Sequence, residues 1–211
     1  MNFKNNIIAG LIFAAGLYGA ASGSASAQTL ASLPAQAQPI ASVGEARPLP
    51  AWTDFCQTYA SECAVNRDEA ASITLTPKIW QTLVSVNRKV NGSIKPMLDS
   101  DHWGVADRWD IPTDGYGDCE DFQVLKRKLL AEAGLPRRAM RMTVVIDEKN
   151  EGHAVLMVRT NQGDFTLDNK TDEVLPWSET GYIFVKRESQ DDLAWVSLGR
   201  ATSPTVTANR R

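Results

Sequence analysis

The chain has 211 residues, with 22 Lys and Arg against 25 Asp and Glu, and a formal net charge of -3. This small negative charge excludes the basic field that nucleic-acid binding needs and a polybasic patch for a membrane surface. With 43% hydrophobic and 22% charged residues, the composition is that of a globular domain with terminal additions.

The first 27 residues are predicted to be a signal peptide. Lys4 gives a weakly positive start, residues 7–21 are uncharged and mostly apolar, and Ala25-Ser26-Ala27 fits a signal peptidase site. The apolar run is short for a membrane span, which needs about 20 residues. We therefore expect a periplasmic or secreted protein, with no stable membrane insertion after cleavage. The alternative is that the segment stays uncleaved and anchors the protein in the membrane.

Composition also sets the expected limits of the folded domain. Residues 28–50 are rich in Ala, Pro, Gln and Ser and have no apolar period, which predicts a flexible lead-in. Residues 201–211 are interpreted as a disordered tail. A domain over residues 51–200 remains, and its length is typical of a single domain.

The three cysteines have different expected roles. Six residues separate Cys56 from Cys63, so a small loop can close between them in the oxidising compartment that export implies. This pairing leaves Cys119 over. An odd thiol in an exported protein is unpaired by accident, an intermolecular link, or a reactive group.

Helix-like periodicity comes first in the domain and strand-like patterns follow. Residues 78–90 and 119–133 place apolar side chains at the three- and four-residue spacing of one buried helix face. The irregular stretch between them, residues 91–117, has the length and composition of a functional loop. Strand-like runs follow at residues 141–147, 153–160, 165–169, 182–186 and 194–198. Helices followed by an antiparallel meander predict an α+β domain.

Cys119 is predicted to begin the second helix, where the positive end of the helix dipole favours a thiolate. Asp118, Glu120 and Asp121 oppose this effect by repulsion between like charges. A cationic partner such as a protonated histidine is therefore expected.

The chain has two histidines, and the position of His102 does not suggest that it pairs with a nucleophile. His153 begins one predicted strand, and Asp168 lies near the end of the next. In an antiparallel hairpin these two positions share one edge. A carboxylate there can hold one ring nitrogen and leave the other for Cys119. Cys119, His153 and Asp168 are therefore candidates for nucleophile, base and orienting group.

Several motifs occur together and in order. The three motifs that contain the candidate triad are Gly-Asp-Cys-Glu-Asp-Phe at 117–122, Gly-His-Ala-Val-Leu at 152–156 and Phe-Thr-Leu-Asp-Asn at 165–169. Upstream of them lie Phe55-Cys56 with Cys63, a Val-Asn pair motif at 86–91 and a Trp-to-Pro segment at 107–112. Together they resemble the bacterial transglutaminase-like cysteine peptidases. The resemblance implies a papain-like or transglutaminase-like core, with N-terminal helices packed on an antiparallel sheet. It also implies a catalytic triad of Cys119, His153 and Asp168.

The same resemblance implies a substrate class and a metal. Characterised members of the nearest branch are periplasmic, calcium-dependent proteases that clip large surface adhesins. It thus implies a periplasmic or cell-surface protein substrate, with Asp118 and Glu120 as calcium ligands. Because oxygen ligands in a flexible loop suit calcium, Asp114 and Asp121 are further candidate ligands. The loop at 113–117 has only two glycines, a departure that leaves the substrate cleft and the adhesin preference open.

Two other functions remain open on the sequence. The same triad can transfer a glutamine acyl group to an amine, as transglutaminases do. A non-catalytic periplasmic binding module of the same fold is the second alternative. The oxyanion donors are not identified by any motif, and the backbone N–H of Cys119 is the first candidate.

Overall fold

The computed structural model describes residues 33–207, which form helices packed against a seven-stranded sheet. The predicted signal peptide and its cleavage site lie outside the described residues. The helices are α1 (Pro50–Thr58), α2 (Ala60–Cys63), α3 (Pro77–Ser93), α4 (Asp99–His102) and α5 (Cys119–Glu132). The strands are β1 (Gly44–Ala46), β2 (Lys95–Pro96), β3 (Tyr116–Gly117), β4 (Met140–Ile146), β5 (Gly152–Thr160), β6 (Gly163–Leu167), β7 (Leu175–Pro176), β8 (Ile183–Glu188) and β9 (Trp195–Ser197). None of the described helices is both long and apolar enough to cross a membrane.

The large sheet confirms the α+β class but not a simple meander. Its strand order is β1-β9-β8-β4-β5-β6-β7, and all neighbours are antiparallel. Strands β4 to β6 follow one another as predicted, and the short β7, which was not predicted, continues this order. Strand β8 instead returns to pair with the far side of β4. The reason is that β4 is buried along almost its whole length, so it needs a hydrogen-bonded neighbour on each side.

The described part of the predicted flexible lead-in is packed on the sheet. Strand β1 pairs with β9, and the Ile40 N–H donates to the Asp164 carboxylate at 2.9 Å. Leu49 is fully buried in the core. Residues 33–50 therefore make ordered contacts in the structure, where composition alone predicted a flexible lead-in. The physical reason for the packing is that β9 would otherwise present an unpaired edge, which this segment covers.

The described part of the predicted tail, residues 201–207, also makes contacts within the fold. Thr207 is fully buried, and its contacts lie at the functional site described below. The pairing of Cys56 with Cys63 is confirmed by a disulfide that joins α1 to α2, and Cys119 is the free cysteine.

Helix α5 fixes the position of Cys119. It packs against both β5 and α3, so Phe122 and Val124 are completely buried. A buried ion pair joins it to the sheet, because Arg127 Nη1 lies 2.5 Å from the Glu188 carboxylate on β8. Glu188 also accepts hydrogen bonds from the Trp52 ring N–H and the Met142 backbone N–H. This carboxylate therefore ties α1, α5 and the sheet together.

Replacing Glu188 with alanine should lower the free energy of unfolding by about 3–5 kcal/mol, because Arg127 keeps a buried charge without its partner. Urea unfolding measures the change. The control is Glu132→Ala, which removes the carboxylate that lies 2.9 Å from Lys128 on the exposed face of α5. That loss should be no more than about 0.5 kcal/mol. Equal losses in the two variants would mean that the buried pair does not anchor the helix.

Candidate active site

Cys119 is the first residue of α5 and its side chain is fully buried. The backbone N–H of Ala154 donates to its sulfur at 3.4 Å. The thiol proton lies within reach of two acceptors, the Glu120 carboxylate at 3.0 Å and the Thr207 carbonyl oxygen at 2.9 Å. Since Ala154 directly follows His153, the sulfur lies beside the start of β5.

His153 and Asp168 meet at the edge that the hairpin pattern predicts. Strands β5 and β6 are antiparallel, with Leu156 opposite Leu167, so the start of β5 and the residue after β6 lie close together. His153 Nε2 is 2.8 Å from Asp168 Oδ1, and both side chains are buried. The structure thus brings the three predicted side chains into one neighbourhood.

The surroundings of Asp168 determine which ring nitrogen carries the proton. Burial alone would raise the pKa of Asp168. The charge and hydrogen bond of His153, with hydrogen bonds from Tyr182 and the Lys170 N–H, instead hold that pKa below its ordinary value. An ionised Asp168 accepts a hydrogen bond from Nε2–H, so in the neutral ring Nδ1 has a free lone pair. His153 Nδ1 is buried and has no hydrogen-bond partner among the described residues.

Two residues that the sequence reasoning did not single out hold Asp168 in place. The Tyr182 hydroxyl donates to Asp168 Oδ2 at 2.7 Å. The Asn91 side-chain amide, on α3, donates to the Asp168 carbonyl oxygen at 3.0 Å. The Val-Asn motif was the signal for Asn91, because its second asparagine lies on the buried face of α3.

A buried acidic cluster lies beside the thiol. Carboxylate oxygens of Asp99, Asp118 and Glu120 all lie within 4.8 Å of one another, and all three residues are buried. Asp99 Oδ1, Asp118 Oδ1 and Glu120 Oε1 accept no hydrogen bond from the described residues. Asp99 was missed by the sequence reasoning, although it falls in the irregular stretch expected to be functional.

Asp114 and Asp121, the other two acids predicted as calcium ligands, lie outside this cluster. The prediction that they assist in binding is corrected accordingly. Asp114 Oδ2 is 2.8 Å from the ring of His102, and Asp114 is largely exposed. Asp121 Oδ1 accepts the backbone N–H of Asp110 at 2.7 Å. Their carboxylates are therefore engaged elsewhere, the first with a neighbouring ring and the second with a loop.

Electrostatics in this part of the site disfavours negative charge. Burial, and then repulsion from Asp99, raises the pKa of Asp118 to about 7. Burial raises the pKa of Asp99 to about 6. Burial followed by the Asp118 charge also raises the pKa of the Cys119 thiol, contrary to the thiolate that the helix start predicts. The helix dipole is outweighed here because the sulfur is completely desolvated.

The arrangement supplies the groups for nucleophilic acyl chemistry: a thiol, a ring nitrogen with a free lone pair, and a carboxylate that orients the ring. Two cavities adjoin it. One of about 320 Å³ is lined by Asp107 and Trp109, and another of about 310 Å³ by Asp168 and Tyr182. The second cavity therefore offers space for a bound chain beside Asp168.

A family model described as bacterial transglutaminase-like cysteine proteinase matches residues 43–203. Among solved structures, calcium-bound LapG of Legionella pneumophila aligns with a TM-score of 0.49 and 21% identity, covering 72% of this chain and 92% of that chain. EGTA-treated LapG of the same organism aligns with a TM-score of 0.45 and 22% identity, covering 66% and 82%. No curated protein matches the chain significantly. The family match includes every site residue described above except Thr207.

Proposed function

This chain belongs to the bacterial transglutaminase-like cysteine proteinase family and is a cysteine peptidase, and from that premise we propose that it hydrolyses a protein substrate through Cys119, His153 and Asp168. One observation carries the assignment of residues. His153 Nε2 lies 2.8 Å from the Asp168 carboxylate, and Nδ1 has no hydrogen-bond partner in the described part of the chain, while the next residue in β5 contacts the Cys119 sulfur.

The proposed reaction follows from these positions. His153 Nδ1 takes the proton of the Cys119 thiol as the sulfur attacks the carbonyl carbon of the scissile bond. The imidazolium then gives this proton to the leaving amine, and the carbon–nitrogen bond breaks to leave a thioester. Water, deprotonated by His153, releases the acyl group and restores the thiol. Asp168 keeps the ring oriented and stabilises its positive charge.

The developing oxyanion needs donors that do not move during the reaction. The backbone N–H of Cys119 lies in the first turn of α5, where N–H groups have no partner within the helix. We assign it as one oxyanion donor.

The proposed site of action is the periplasm or the cell surface. The signal-peptide pattern at residues 1–27 and the disulfide between Cys56 and Cys63 both suit an exported protein. Its substrate is then a periplasmic or surface-exposed protein, with large adhesins as the first candidates.

The test is N-terminal profiling of periplasmic and surface proteins after exposure to the wild-type chain or to Cys119→Ala. New protein N-termini that require Cys119 support hydrolysis. Incorporation of a labelled amine without new N-termini would instead assign acyl transfer. Identical profiles for the two proteins, with the cellular effects kept by Cys119→Ala, would assign a binding module.

We also propose that Asp99, Asp118 and Glu120 bind calcium. The cluster offers three buried carboxylates at the starts of α4 and α5, each with an oxygen that accepts no hydrogen bond from the described residues, and hard oxygen ligands suit this cation. When bound, the ion would neutralise acids that burial otherwise leaves mutually repelling.

Calcium should raise the melting temperature of the Cys119→Ala protein, in which binding is read without catalysis. At 100 times the dissociation constant, the gain in stability should be about 2.7 kcal/mol. Asp99→Asn should remove most of this gain. Asp114→Asn, whose carboxylate lies outside the cluster, is the control and should keep it. An unchanged melting temperature at millimolar calcium in Cys119→Ala would refute the site.

A further inference from the structure

The chain's own C-terminal segment, residues 203–207, lies across the candidate active site. The Thr207 carbonyl oxygen accepts the Cys119 thiol proton at 2.9 Å. The Thr207 hydroxyl donates to the Asp107 carboxylate at 3.3 Å. Thr207 and Cys119 are both fully buried, so the segment helps to shield the sulfur from solvent.

The segment fits against β5 only because residue 152 is a glycine. A Cβ atom at Gly152 would lie 2.5 Å from the Val206 carbonyl oxygen and 2.8 Å from the Pro204 Cβ. Gly152 begins β5 and directly precedes His153. The segment therefore runs over the backbone beside the proposed base and ends with a carbonyl at the proposed nucleophile.

We propose that residues 203–207 are a cis-acting inhibitor that occupies the substrate cleft of this peptidase, a proposal that rests on the proposed function. A peptide substrate must also bring a backbone carbonyl to Cys119, so the segment and a substrate exclude each other. The segment blocks the site and is not cleaved, because its carbonyl oxygen, and not its carbon, faces the sulfur as a hydrogen-bond acceptor. The thiol proton is then directed to Thr207 or Glu120 and away from His153.

The strength of the effect follows from tethering. A ligand on a short tether acts at an effective concentration of about 1 mM. A segment with a dissociation constant of about 0.1 mM as a free peptide would therefore reduce access to the thiol about tenfold. Such a segment inhibits while it is docked and yields to a substrate that binds more tightly.

The rate at which iodoacetamide alkylates Cys119 in the folded protein tests this proposal without any substrate. Deleting residues 204–211 should raise the rate about tenfold, since the covering segment is removed. Deleting only residues 208–211 is the matched control and should leave the rate near that of the full chain. Equal rates in the two truncated chains would overturn the proposal.

A full-length variant guards against a truncation that disturbs folding. Gly152 does not have a positive φ, so alanine is compatible with its backbone and acts only by displacing the segment. Gly152→Ala should also raise the alkylation rate, with an unchanged melting temperature. Lack of any increase in this variant would count against the docked segment.

A synthetic peptide of residues 203–211 completes the test. Added at millimolar concentration to the chain lacking residues 204–211, it should restore protection of Cys119, whereas a scrambled peptide should not. Intact-mass measurement should show the peptide uncut, and cleavage after Thr207 would make the segment a substrate and refute inhibition. Faster alkylation of the truncated chain without cleavage of any protein would refute the proposed function and leave the masking of Cys119 standing.

Discussion

Replacing Cys119 with alanine should lower the turnover number for peptide cleavage about 10⁶-fold, because the change removes the atom that forms the acyl intermediate. Cleavage of a proteome-derived peptide library, followed by mass spectrometry, measures the loss. The substitution removes one buried sulfur from the start of α5. Thermal unfolding should therefore show a single cooperative transition within a few degrees of wild type.

The outcome that contradicts this expectation is cleavage by Cys119→Ala at a rate close to wild type, at the same peptide bonds. The catalytic group would then lie elsewhere in the chain. Cys119→Ser provides a second reading, because its hydroxyl keeps the shape of the side chain but is a much weaker nucleophile than a thiol. It should also be strongly impaired.

Replacing Asp168 with asparagine should lower the turnover number about 10³–10⁴-fold. An amide at this position can present its oxygen to the Tyr182 hydroxyl and its NH₂ group to His153 Nε2. The ring then carries its proton on Nδ1, where it cannot accept the proton of Cys119. The expected loss is in turnover, with KM little changed, because Asp168 orients the base and does not bind substrate in this mechanism.

Tyr182→Phe is the matched control for Asp168→Asn. It removes the 2.7 Å hydrogen bond to Asp168 Oδ2 but leaves the bond between Asp168 and His153. One lost hydrogen bond to a charged group is worth about 1.5–3 kcal/mol, so the expected loss is about 10- to 150-fold. Losses of equal size in the two variants would mean that Asp168 has only a structural role.

Local sequence patterns predict the features that depend on interactions between residues close together in the chain. The helix beginning at Cys119 was predictable from its apolar spacing and from the glycine and proline that follow its end. The meeting of His153 with Asp168 was predictable from hairpin geometry, because consecutive antiparallel strands determine which residues share an edge. No long-range information was needed for either.

Other features depend on contacts between distant parts of the chain. Strand β8 pairs with β4, and β1 pairs with β9, neither of which follows from the period of a single segment. Asp99 joins the acidic cluster from a helix 19 residues before Asp118. The segment ending at Thr207 reaches Cys119 over a separation of 88 residues. From composition, residues 28–50 and 201–211 were predicted to be flexible, because neither segment has an apolar period. In the structure, the backbone groups and a few side chains of their described residues contact the folded domain.

The raised pKa of Cys119 also arises from the tertiary structure. The helix start predicts a more acidic thiol, but complete burial and the neighbouring Asp118 charge act in the opposite direction. Both depend on packing that the sequence pattern does not specify. The raised thiol pKa and the covered sulfur both fit the docked state proposed above, in which the thiol proton has not passed to the proposed base, His153.

The central claim is that His153 activates Cys119. A peptide vinyl sulfone, which forms a thioether only with an activated thiol, tests it most directly when intact mass is followed over time and the adduct is mapped. The full-length chain should gain one adduct per molecule, on Cys119, and His153→Ala should react about 10²–10⁴-fold more slowly. Adduct formation at the same rate in the two proteins, or on a residue other than Cys119, would contradict the account.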